Sequence, residues 1–402
     1  MSKRRAFIPW FLAGLVVWGL LVVGSFAALL AMVDEWRPIT ASALTDDPPK
    51  LWGPLFGQQY FAYRLGRIDR TEPEIVVLGS SRGSQFRAEM FPGTRFYNAS
   101  LAATSLGDSI AFLEAILRAR RPRIVILPID TWWFSPTWAD PCADAGDCTI
   151  PHEFSLDQLV AATTRSMQSS FVLYQVMFVL SERKWLALRA VPDPIGGRMP
   201  VGFLAQQGAD GFRPDGSYQY GRMALGDYGG VTRDRLRFTE GYAGFIDRLD
   251  PVAAASSGNR FGTVSPLPPA RVAALERFVE ICHQHDAKVV LVLPPFAPGF
   301  MKLIERYPQQ AAFFSDVATM VKAVAQRHQV DVLDAMRSTG DLGDEHFYDG
   351  MHGDERVHLA LARKLVALPV LAAVVDRDAL ATLARTAAGR GDAGIWLHLI
   401  AR

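Results

Sequence analysis

The strongest constraint on this chain is a repeated pattern. Short runs of apolar, mostly β-branched residues alternate with segments of helical periodicity. Ile75–Leu78, Arg123–Ile129 (RIVILPI) and Lys288–Leu293 (KVVLVL) are the clearest runs, with shorter ones at Arg95–Tyr97 and Val330–Leu333. A strand apolar at every position must be buried on both faces, which a parallel sheet covered by helices provides. Helices are expected at 106–120, 269–285 and 309–327, and around Leu359–Leu365. The predicted class is therefore α/β, a three-layer sandwich around a central parallel sheet. The strand runs end at Gly79, Asn98, Asp130, Pro294 and Asp334. Open sheets of this kind place their ligands at that carboxyl edge.

Residues 7–33 carry no charge and are long enough to cross a bilayer. Lys3, Arg4 and Arg5 precede them and Asp34 and Glu35 follow. The basic end stays in the cytoplasm, which puts the body of the chain outside. The segment is too long for the apolar region of a cleaved signal peptide, the rival reading. The expected order is a cytoplasmic tail (1–6), a single-pass inner-membrane anchor (7–33), a juxtamembrane segment (34–73), an α/β domain (74–368) and a helical tail (369–402). The α/β rhythm lapses at about 131–266, a large insertion. Within it GFRPDGSYQYG (211–221) reads as turns joining short strands, and Phe171–Leu180 as a surface-packed helix. A net charge of +1 argues against a nucleic-acid partner. Cys142 and Cys148 bracket a short loop and form a candidate disulfide in an oxidising periplasm. No metal-ligand spacing occurs, and no cofactor motif is read.

Two stretches carry chemistry. Gly79-Ser80-Ser81-Arg82 follows the first strand, and Asp349-Gly350-Met351-His352 lies beyond the last. A serine hydroxyl needs a base within reach, and the base needs an orienting group. The alternating fold brings both chain ends to one sheet edge, so Ser81 is read as nucleophile, His352 as base and Asp349 as orienter. Ser80 is the alternative nucleophile. Arg82 is either a site residue or a surface cation. Asp130 is either a strand-end cap or a site residue. Trp132 and Trp133 either stack on a sugar ring or belong to the core.

These motifs resemble the SGNH (GDSL-like) hydrolase superfamily. Closer still is a membrane-anchored branch that includes alginate O-acetylation proteins and the D-alanine transfer protein of teichoic-acid modification. Gly79-Ser80-Ser81 matches the first family block and Asp349-Gly350-Met351-His352 the last. The resemblance covers about 74–130 and 269–367. It implies an SGNH/flavodoxin-like fold and the same three catalytic roles. It also implies an O-acyltransferase or esterase acting on an envelope polysaccharide, with a membrane-bound O-acyltransferase as a partner. The middle blocks depart from the family. Ala103 stands near the expected glycine, and Asp130 stands where an asparagine is usual. An ionised aspartate cannot donate to an oxyanion. The Ser81 N–H, with Arg82 or Asn98, would have to serve. A catalytically silent scaffold or polysaccharide-binding subunit is the second expectation.

Overall fold

The computed structural model describes residues 10–21, 24, 49–54, 60–140, 197–208, 210–220, 249 and 259–388. The first strand, β1 (Lys50–Trp52), is followed by helix α1 (Tyr60–Thr71). The main sheet then begins with β2 (Ile75–Val77), β3 (Phe96–Asn98), α2 (Leu106–Ala119) and β4 (Ile124–Pro128). After the insertion come α4 (Pro269–Gln284), β8 (Lys288–Leu293), α5 (Pro298–Ile304), α6 (Pro308–His328) and β9 (Asp331–Asp334). Helices α7 (Glu355–Leu365), α8 (Pro369–Ala372) and α9 (Arg377–Ala388) close the chain as described.

The main sheet has five parallel strands in the order β3-β2-β4-β8-β9. The first strand in sequence lies second in space, so the winding direction reverses between β2 and β4. That reversal opens a crevice at the carboxyl ends of those two strands. Every residue of β2, β3 and β4 is buried, as are all of β8 but Lys288. Because successive side chains point to opposite faces, full burial means that both faces are covered. Helices α2, α4 and α6 pack together as one group, and α7 and α9 as another. Each fully buried Val, Leu or Ile contributes roughly 1.5–3 kcal/mol, so this sheet is the main source of stability.

The insertion contributes β5 (Met199–Val201), α3 (Phe203–Gly208), β6 (Gly211–Phe212) and β7 (Tyr218–Gln219). Strand β1 pairs parallel with β5 and antiparallel with β6, and β6 turns into β7. The expected turn-linked strands at 211–221 are thus present, and they pair with a segment that precedes the main domain. Trp52, Tyr63, Val201 and Phe212 form the small core of this second sheet. Its hairpin lies against the loop after β2. Arg67 donates to the Pro214 carbonyl at 2.8 Å, Asn98 N–H donates to the Asp215 carbonyl at 2.8 Å, and Tyr218 N–H donates to the Ser84 carbonyl at 2.9 Å. The hairpin needs Gly216 there, because φ is +78° and a Cβ would sit 2.2 Å from the Asn98 oxygen.

Residues 10–21 are helical, with Trp10 and Trp18 largely exposed. Among the described residues no helix is long and apolar enough to cross a membrane. The rest of the expected anchor, the Cys142–Cys148 pair and Phe171–Leu180 lie outside the described residues.

Candidate active site

Gly79 ends β2 in a left-handed conformation, with φ of +114°. A Cβ there would stand 2.9 Å from the Pro128 carbonyl, so only glycine lets the chain turn so close to β4. Ser80 then caps a single turn of 3-10 helix, Ser81–Gly83, by accepting the Arg82 N–H at 3.2 Å. Capping occupies the Ser80 hydroxyl and frees that of Ser81. The first N–H groups of such a turn lack partners within it, and no described residue accepts that of Ser81.

Asp349 and His352 sit in a tight turn just before α7. Asp349 Oδ1 accepts the N–H groups of Met351 (2.7 Å) and His352 (2.8 Å). Oδ2 accepts from His352 Nδ1 at 2.7 Å. A short antiparallel bridge between Phe347 and Gly353 closes the turn, and Asp354 caps α7 behind it. His352 Nε2 lies 2.7 Å from Ser81 Oγ. With the Nδ1 proton directed at Asp349, Nε2 is left to accept the serine proton. Burial alone would raise the Asp349 carboxyl. The His352 charge and hydrogen bond and the two backbone N–H groups outweigh it, so the group ends well below the usual carboxylate range. The carboxylate therefore stays ionised at neutral pH and holds the imidazole in one orientation.

Arg82 is almost wholly buried and is not a surface residue. Its guanidinium crosses three strand ends. Nη2 donates to the carbonyls of Pro294 (2.7 Å) and Pro295 (2.9 Å) after β8, and Nε donates to Met351 O at 3.3 Å. Nη1 meets Asp130 Oδ1, after β4, at 3.4 Å. Phe296 stacks beneath it at 3.9 Å. Burial lowers its pKa to about 10, still charged at neutral pH. Arg82 thus ties the Ser81 loop to the loop that carries His352, and four of its five N–H donors are engaged. His358, on α7, adds a second tie. Its ring nitrogens face the carbonyls of Asp354 and Arg82, each at 2.9 Å.

Asn98 is also spent. Its side-chain amide donates to the carbonyls of Gly83 (2.9 Å) and Phe86 (2.8 Å), which shapes the Ser81 loop and leaves nothing for an oxyanion. Asp130 is buried, and burial raises its pKa against the charge of Arg82. It serves as Arg82's partner at the end of β4. Trp132 is 3% exposed and lies between two arginines, with Arg82 at 5.6 Å and Arg260 at 5.1 Å from its ring. It offers no open face to a sugar. Trp133 is fully buried and donates to the Thr104 carbonyl at 3.1 Å. Both tryptophans belong to the core. Cys282 is buried, and burial pushes its thiol up to about 12, so it is inert packing.

Arg260 was not singled out in the sequence, whereas His358, which flanks the motif, is the structural residue its position suggested. Arg260 sits in an irregular stretch with no local signal. His358 was visible as a neighbour of the motif, but only its one-turn offset from the α7 cap brings it to Arg82. Among the described residues no group of three or more His, Cys, Asp or Glu side chains is placed to hold a metal. No family model matches the chain, and no curated protein matches it either, so its functional reading rests on this geometry.

Proposed function

We propose that this chain is an exported, membrane-tethered enzyme of SGNH-like fold, an O-acyltransferase or esterase acting on an envelope polysaccharide. The observation that carries the reading is the unbroken line of hydrogen bonds from Ser81 Oγ through His352 to Asp349, each at 2.7 Å. Ser81 Oγ attacks the acyl carbonyl while its proton passes to His352 Nε2. The leaving alcohol takes that proton as the C–O bond breaks, and an acyl-serine remains. An acceptor hydroxyl or water then gives its proton to His352 and attacks the acyl-serine, and His352 returns that proton to Ser81 Oγ as the Ser81–acyl bond breaks. The Ser81 N–H is the oxyanion donor this reading uses. The apolar, uncharged 7–33 segment supports a single-pass inner-membrane anchor with the body in the periplasm. Tethering near polymer export favours transfer over hydrolysis, with a membrane-bound O-acyltransferase as acyl supplier.

The direct test is turnover of a chromogenic acetyl ester by wild type and Ser81→Ala, with mass spectrometry of the intact protein. A mass increase of one acyl group at Ser81, and a fall of about 10⁴-fold or more in the variant, is expected. Equal background rates and no adduct would eliminate the enzyme reading. One observation favours a second reading, a silent polysaccharide-binding scaffold: the Asn98 amide holds no free donor for an oxyanion, and four of the five Arg82 N–H donors are engaged. Polysaccharide binding without an acyl adduct would support it.

A further inference from the structure

Two arginines approach the Trp132 ring, and the fold uses only one. Arg260 is half-buried, with its guanidinium carbon 5.1 Å from the Trp132 ring centre and 5.4 Å from that of Trp138. It makes no hydrogen bond and no ion pair with any described residue. The nearby carboxylate, Asp130, is engaged by Arg82. The platform under Arg260 is fixed from several sides. Trp138 donates its indole N–H to Thr104 O at 3.2 Å, and its carbonyl accepts from Arg271 at 3.1 Å. The Arg260 backbone is held between Thr137, which donates to Asn259 O at 2.7 Å, and Phe261 N–H, which donates to Asn259 Oδ1 at 2.9 Å.

The position relates to the reacting groups. Arg260 and Arg82 approach the same Trp132 ring, at 5.1 and 5.6 Å, and Arg82 directly follows Ser81 in the chain. Arg260 therefore stacks on the indoles without giving a hydrogen bond to any described residue, and its donors stay open. Stacked on indole rings, it has already lost most of the freedom that binding would otherwise take from it. Its planar fork matches an anionic group with two oxygens.

We propose that Arg260, held over Trp132 and Trp138, binds an oxyanion of the substrate, a carboxylate or phosphodiester near the hydroxyl that exchanges its acyl group at Ser81. The location of that hydroxyl rests on the acyl-transfer reading. The anion contact itself does not need a competent Ser81.

The test uses the detergent-solubilised full chain carrying Ser81→Ala, with and without Arg260→Gln or Arg260→Lys. Calorimetry measures binding of methyl β-glucuronide, neutral methyl β-glucoside and glycerophosphoglycerol at low and high salt. One of the anions should bind about tenfold tighter than the glucoside, the size of one charge-assisted contact open to water on one side. That preference should vanish in Arg260→Gln, survive in part in Arg260→Lys and weaken with salt. Whichever anion wins identifies the group as carboxylate or phosphodiester. Equal affinity for charged and neutral ligands, binding of neither anion, or a preference that survives Arg260→Gln overturns the proposal. An anion preference without an acyl adduct on wild-type Ser81 would leave the Arg260 site standing and remove the catalytic reading. An adduct without the preference would do the reverse.

Discussion

Arg82 and Arg260 approach the same indole and differ in almost everything else. Arg82 follows β2, is buried, and spends its donors on a carboxylate and the carbonyls of three other loop residues. Arg260 lies in an irregular turn, is half-buried, and spends none. The first acts as mortar between the ends of β2, β4 and β8. The second acts as a reader of what arrives from outside. Two identical side chains near one ring thus take opposite roles, and what separates them is whether the fold has already used their hydrogen-bonding capacity.

Four measurements test how cleanly structure and chemistry divide around that ring. The largest effect is expected for Asp349→Asn. It keeps the shape but removes the charge that fixes the His352 tautomer, so kcat for ester turnover should fall about 10⁴-fold. A fall of less than tenfold would mean that Asp349 only shapes its turn. Next is Arg82→Gln, which strands the buried Asp130 and leaves carbonyls after β8 unmatched. It should cost about 3–5 kcal/mol, a drop of roughly 10 °C in melting temperature for a domain this size. A melting temperature within the error of wild type would break the contrast with Arg260.

A smaller effect is expected at His358. Burial in the first place holds its imidazole below the usual range, partly offset by the carbonyls of Asp354 and Arg82. The unfolded chain therefore takes up this proton at higher pH than the folded protein. Stability from this group is complete above about pH 6.5 and declines as the pH falls below it. His358→Gln should flatten that limb of the stability profile, and an unchanged slope in chemical denaturation would show that His358 does not set it. The smallest effect is expected for Arg260→Gln on stability, within about 0.5 kcal/mol, since no partner is lost. A drop as large as that for Arg82→Gln would make both arginines structural.

Much of the main sheet was legible in the sequence, because β2, β4 and β8 are apolar at nearly every position. The pattern at 75–77, 124–128 and 288–293 admits little but a buried parallel strand. The pairing of Ser81 with His352 was legible for the same reason, since alternating strands and helices return both ends to one edge. The roles of Arg82, Asn98 and Asp130 were not. Each is a polar residue at a strand end, and sequence cannot say whether its donors meet substrate or a neighbouring carbonyl. The small second sheet was half legible. The turns at 211–221 announce a hairpin, but its pairing with Lys50–Trp52 is a long-range contact that leaves no periodic trace.

The separation of 271 residues between Ser81 and His352 has a consequence for the order of assembly. A ribosome finishes the hydroxyl long before it reaches the imidazole, and the proline carbonyls that anchor Arg82 also come late. While the chain is still emerging, the serine is an ordinary alcohol with no base to activate it. On the acyl-transfer reading, the serine is armed only when the final third docks, so completion of folding is itself the activating step.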